Sequence, residues 1–196
     1  MTQSTQTLPD GYQPVYIINL AKDKVLAVVL NLAALVVVLL SFWLLGIFTK
    51  WIHPDLSKTL ISIKFGLSDI IFLIFLVVLN LVVHEFIHGA FFWFITRSKP
   101  VFGLSLSYAF AAAPDWYIPK RLYWIIGLAP LILIGLSGLL IIAIGPSSWM
   151  LPALVVTGFN TGGAVGDIWI IYRLLRTSSA CLVNDTGHTV SFFQPK

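Results

Sequence analysis

The residues of this sequence best suited to chemistry are His84-Glu85-Phe86-Ile87-His88. On a helix, side chains four positions apart share one face about a turn apart, so the two imidazoles can hold a single zinc ion. Glu85 points roughly 100° away around the axis. Its carboxylate then reaches water beside the metal rather than the metal itself. That is the place of a general base, because zinc lowers the pKa of water toward about 7 and the carboxylate can take the proton. The motif lies within an apolar run, where three ionisable residues in five positions need strong compensation. A bound metal supplies it more readily than the alternative, two packed and unliganded core histidines.

Two histidines are too few for a catalytic zinc site, which usually has three protein ligands and one open position. The single cysteine, Cys181, leaves His, Asp and Glu as the candidates. His53 lies in a loop on the opposite side, His188 lies in the far tail, and Asp167 is the one acid of the last apolar run. Depth favours Asp167. His88 is nine residues before Arg97 and Asp167 is nine before Arg176, so on helices running the same way both lie about 13 Å inside those basic markers. Gly158, Gly162 and Gly166 recur at every fourth position with Gly163 adjacent. Such spacing suits close helix packing, which would bring the Asp167 carboxylate toward His84 and His88. Asn160 reads equally as a polar packing residue or as a donor orienting backbone or substrate. Asn80, one turn before His84, reads as the lining of a wet cavity or as a buried hydrogen-bonding residue. Pro130 and Pro152 read as kinks.

The elements that must position these groups are membrane spans. Of 196 residues, 58% are hydrophobic, and the mean hydropathy of +0.93 exceeds what a soluble core of this size needs. Apolar runs at residues 25–48, 70–95, 122–144 and 149–175 are long enough to cross a bilayer core of about 30 Å. The third and fourth are separated by Gly145-Pro146-Ser147-Ser148 and must form an antiparallel hairpin. The fold class is therefore an all-α multispanning membrane protein, with a polar N-terminal segment at 1–24, a four-span domain at 25–176 and a tail at 177–196. No signal-peptide pattern is present. The N-terminal segment is expected to be partly disordered. If the spans alternate, nine basic residues lie on the side of the termini and of the 96–121 connection, against Lys50, Lys58 and Lys64 on the other. The positive-inside rule then places both termini in the cytoplasm. No basic run or basic helix face points to nucleic acid.

Two connections are more than linkers. The stretch VFGLSLSYAFAAAP is too apolar for water, and residues 103–110 alternate loosely as a strand does. It reads as a short hairpin or re-entrant strand, or as an interfacial amphipathic loop. The tail segment CLVNDTGHTVSFFQ reads as two β-prone pieces around Asp185-Thr186-Gly187, a hairpin.

With HEFIH at 84–88, the apolar strand-like segment after it and NTGGAVGD at 160–167, the chain resembles membrane-embedded zinc metalloproteases of the site-2 protease type. It is more closely similar to the bacterial zincin-like membrane peptidases called domain of unknown function 3267. The resemblance covers residues 70–176. It implies that Asp167 is the remaining ligand of one Zn2+, that Asn160 has a substrate or active-site role, and that a strand near 101–110 pairs with an unwound substrate. It also implies a bacterial cytoplasmic membrane. Asp167 is followed by Ile168 where site-2 proteases usually have glycine. The expected function is a zinc-dependent endopeptidase acting on membrane proteins or peptides, with Glu85 as the base. The alternative is a noncatalytic scaffold or binding protein stabilised by the metal. Metal transport is disfavoured, because the spans hold one compact ligand cluster and no relay along a path.

Overall fold

The structure is a computed structural model that describes residues 3–55, 66–105 and 108–196. Lys58 and Lys64, which enter the orientation argument, lie outside the described residues, as do positions 106 and 107 of the expected strand. Among the described residues, five helices occupy the apolar runs: α1 (Lys24–Ile52), α2 (Leu67–Thr96), α3 (Lys120–Ile144), α4 (Ser147–Gly163) and α5 (Val165–Leu175). With α4 and α5 taken as one span, four helical segments among the described residues are long and apolar enough to cross a membrane. Helices are required there because no water in the hydrocarbon satisfies backbone groups. The expected single fourth helix is interrupted at Ala164, whose N–H still bonds Asn160 O at 3.0 Å.

Five strands accompany the helices among the described residues: β1 (Tyr12–Asn19), β2 (Val101–Leu104), β3 (Ala109–Pro119), β4 (Leu182–Asp185) and β5 (Thr189–Pro195). They form one antiparallel sheet in the order β1-β5-β4-β3-β2. The 97–121 connection is thus the β2–β3 pair, with Phe102 opposite Ala111. The tail is the β4–β5 hairpin, with Asp185 opposite Val190. The sheet extends beyond these expected pieces, because the N-terminal segment contributes β1. Its partner β5 lies some 180 residues away, and Tyr12 opposes Pro195. Pro14 sits at a register shift, where a missing N–H is tolerated.

The described chain divides into two units. One comprises Met1–Asn31, Glu85–Ala129 and Gly166–Lys196. Its core joins the sheet to helix residues through Ile18, Phe92, Ile118, Leu174, Val183 and Phe192. The other comprises Leu32–His84 and Pro130–Val165, with Leu45, Ile142 and Ala153 buried together. In this unit the glycine run serves α1. A Cβ on Gly158 would lie 3.0 Å from the Phe42 ring, and one on Gly162 would collide with Val38 and lie 3.0 Å from Ala34 O. Gly163 and Gly166 face open space, so close approach is confined to the first half of the run.

Candidate metal centre

The two histidines project from one face of α2, a turn apart, and both are buried. Each is held by its Nδ1. His84 Nδ1 donates to Asn160 Oδ1 at 2.9 Å, and His88 Nδ1 donates to Ile126 O at 2.9 Å. With the proton on Nδ1, each neutral ring keeps a lone pair on Nε2, the form in which imidazole binds a metal. His88 Nε2 lies 3.4 Å from Asp167 Oδ1. Ligand atoms of His84, His88 and Asp167 all fall within 4.8 Å of one another. Tetrahedral zinc with bonds near 2.0 Å separates its ligand atoms by about 3.3 Å, so the His88–Asp167 spacing already suits a shared ion. Two neutral imidazoles and one carboxylate also match the donor set of an open zinc site, and the residues present fit the metal.

Asp167 occupies the first turn of α5, just after the break at Ala164. Free N–H groups at a helix start favour a carboxylate there. One turn later on α5, Ile171 reaches α3 at Gly127, where an added Cβ would lie 3.0 Å from Ile171 Cδ1. Gly127 thus permits close approach of the helix bearing Asp167 to the helix whose Ile126 carbonyl holds His88. The depth count that favoured Asp167 over His53 and His188 agrees with this geometry. His53 Nε2 donates to Ile142 O at 2.9 Å, and His188 Nδ1 pairs with the Tyr108 hydroxyl at 3.0 Å.

Asn160 is completely buried. Its Nδ2 donates to Pro130 O at 3.3 Å while its Oδ1 accepts from His84, so both ends of the amide are used. Asn80, on the His84 face of α2, is buried and its Oδ1 has no hydrogen-bond partner among the described residues. Glu85, between the two histidines, is half-buried.

Three features around the site escaped the sequence reading. The Phe102 ring of β2 rests on Gly89, the residue after His88, where any Cβ would strike it. Tyr123, on α3 one turn before Ile126, donates to Asp185 Oδ2 at 2.6 Å, and Gly187 N–H donates to Oδ1 at 2.8 Å. Both Tyr123 and Asp185 are buried. Gly187 has a φ of +83° and a Cβ added to it would strike the Phe110 ring, so the turn around Asp185 requires glycine. Pro130 was legible only as a kink, although a proline four residues after Ile126 signals that this carbonyl lacks a helix donor.

No curated protein and no solved structure shows significant similarity to the chain. A family model described as "Putative zincin peptidase", domain of unknown function 3267, matches residues 74–182. That stretch is more than half of the chain and includes His84, Glu85, His88, Asn160 and Asp167. The cluster of buried His84 and His88 with partly buried Asp167 lies inside it as a candidate metal-binding catalytic site of a peptidase-family domain. By this match the chain belongs to the zincin-like peptidase family called domain of unknown function 3267.

Proposed function

We propose that the protein is a zinc-dependent endopeptidase that hydrolyses peptide bonds of membrane proteins or peptides within or beside the bilayer. The observation that carries this reading is the pair of Nδ1 hydrogen bonds that hold His84 and His88 within 4.8 Å of Asp167, by their ligand atoms, inside a peptidase-family domain. His84, His88 and Asp167 would hold the ion. When bound, zinc supplies Lewis acidity, polarising a carbonyl oxygen and acidifying water. Glu85 takes a proton from the attacking water and returns it to the leaving nitrogen. Asn160 and the Ile126 carbonyl keep the imidazoles in the binding tautomer, and Asn80 adds a polar group one turn along α2.

A peptide bond inside a helix is sterically closed, so cleavage needs an extended substrate. The reading is supported by β2, which is an edge strand with Leu104 79% exposed and with Phe102 seated beside His88 on Gly89. An edge of this kind can supply backbone hydrogen bonds to an unwound substrate, as strand addition does elsewhere. The resemblance to site-2 proteases supports the same role.

Both termini are assigned to the cytoplasm by the nine-to-three basic split. Basic side chains over aromatic rings support an interface at that end. Arg97 stands 5.8 Å from the Trp93 centroid, Arg173 3.8 Å from Tyr16 and Arg176 4.6 Å from Tyr172, an arrangement suited to the headgroup region.

The test is Glu85→Gln. The variant should fold and retain metal while losing cleavage of a membrane substrate by at least about 100-fold, the usual scale of a missing general base. Wild-type turnover in that variant would reject Glu85 as the base. A metal-loaded wild type with no peptidase activity toward membrane proteins would favour the noncatalytic scaffold.

A further inference from the structure

In α3 the Ile126 carbonyl and residue 130 stand in the relation that an α-helical N–H closes. Residue 130 is proline. It has no N–H, and its ring crowds the carbonyl four residues back. Ile126 is 1% exposed, so water does not readily replace the missing donor. An unpaired carbonyl buried here would bear the full cost of its desolvation. His88 Nδ1 fills that vacancy at 2.9 Å. The carbonyl of Pro130 itself accepts from Asn160 Nδ2, and Asn160 Oδ1 accepts from His84 Nδ1. One buried residue therefore stands behind both imidazoles, through Ile126 O to His88 and through Asn160 to His84.

Proline is the least favourable residue in a helix interior. Membrane helices tolerate it where neighbouring side chains take up the freed backbone groups, and here the side chain that does so belongs to the metal centre. We infer that Pro130 is a positioning residue of the metal centre, withholding an N–H from Ile126 O so that His88 can use it and presenting its own carbonyl to the Asn160–His84 pair. This inference rests on the metal-binding reading of His84, His88 and Asp167. It makes the proline of α3 part of the site: a helix with an N–H at position 130 would return Ile126 O to the backbone ladder and leave His88 Nδ1–H to share an acceptor or turn away.

Pro130→Ala separates this role from packing, since the substitution restores an N–H and favours the helix. Purified wild type and variant are stripped of metal, then titrated with Zn2+ against a competing chelator and with Co2+ while the visible absorption of the site is recorded. Thermal unfolding of the metal-free proteins is followed in parallel. The expected result is a metal-free unfolding midpoint no lower than that of wild type, together with Zn2+ affinity weaker by about tenfold or more, the scale of lost ligand-orienting bonds, and an altered Co2+ spectrum. A folded variant with wild-type affinity and spectrum overturns the inference. Should the variant fail to fold, the wild type decides alone: histidine 15N NMR of the zinc-loaded protein is expected to show His84 and His88 bound through Nε2 with the proton kept on Nδ1, and His88 bound through Nδ1 overturns the inference. Wild type that takes up no metal overturns the metal-centre reading and this inference with it, whereas wild type that binds beside a variant that binds equally overturns this inference only.

Discussion

Asn160→Leu removes the amide that orients His84 while keeping a side chain of similar size. Asn160 is fully buried, so neither group it abandons gains water. His84 Nδ1–H loses its acceptor at 2.9 Å, and Pro130 O loses a donor at 3.3 Å. The shorter bond dominates. An orphaned buried N–H costs about 1–3 kcal/mol, and the ring escapes this penalty by moving its proton to Nε2 or by rotating. Either escape withdraws the metal-binding lone pair. Loss of such an orienting partner weakens metal binding about 10–100-fold, or about 1.4–2.7 kcal/mol. Asn160→Asp is the informative companion, because it keeps an acceptor on Nδ1 and gives up the donor to Pro130. Zinc affinity is therefore expected to fall in the order wild type, Asp variant, Leu variant. Chelator competition on monodisperse detergent-solubilised protein measures it, with thermal unfolding as the check on folding. A folded Leu variant that binds zinc as tightly as wild type would refute the claim that Asn160 acts through His84.

Burial pushes the Asp185 carboxyl up from its ordinary value of 3.8, while the Tyr123 hydroxyl and the Gly187 N–H hold it down. Its proton is held more tightly in the folded than in the unfolded chain, so its contribution to stability is full below about pH 4 and is lost as pH rises through the raised folded value. The stability of metal-free Asp185→Asn relative to wild type should therefore improve from pH 4 to pH 8, and a pH-independent difference in unfolding midpoint would reject the assignment. For orientation, Asp55→Cys and Ser179→Cys each introduce an exposed thiol, whereas native Cys181 is buried and its thiol is pushed up by that burial. In intact cells a membrane-impermeant maleimide should label position 55 and spare position 179, and the reverse pattern would invert the topology.

Much of the site was legible in the sequence because its signals are local. HEFIH places both imidazoles on one helix face through the 3.6-residue repeat alone, and the spans follow from runs of apolar residues that only a bilayer accepts. Asp167 could be chosen over His53 and His188 by counting residues from basic markers, since rise per residue converts sequence to depth. Strand character in the 97–121 connection and in the tail was visible as loose alternation and turn chemistry, although β3 runs to Pro119, well past the 103–110 stretch that alternates. The N-terminal strand was not: Tyr12–Asn19 is extended because β5 supplies its hydrogen bonds, and no local pattern encodes a partner that distant.

The same limit governs the groups around the ligands. That Ile126 O lacks a helix donor can be deduced from Pro130, but that His88 takes it cannot, since the two residues are 38 positions apart. Asn160 could be packing or function until the structure set its amide between His84 and Pro130. The glycine run promised close contact without naming the neighbour, and Gly158 and Gly162 proved to serve α1. Tyr123 and Asp185, 62 residues apart, became a pair only when a sheet strand met a helix. The sequence by itself determined which side chains could bind a metal, and in which spans, because spacing along a helix is a local property. Tertiary structure alone decided which buried backbone and amide groups hold those side chains in their binding form, because a buried donor takes whatever acceptor the fold brings to it.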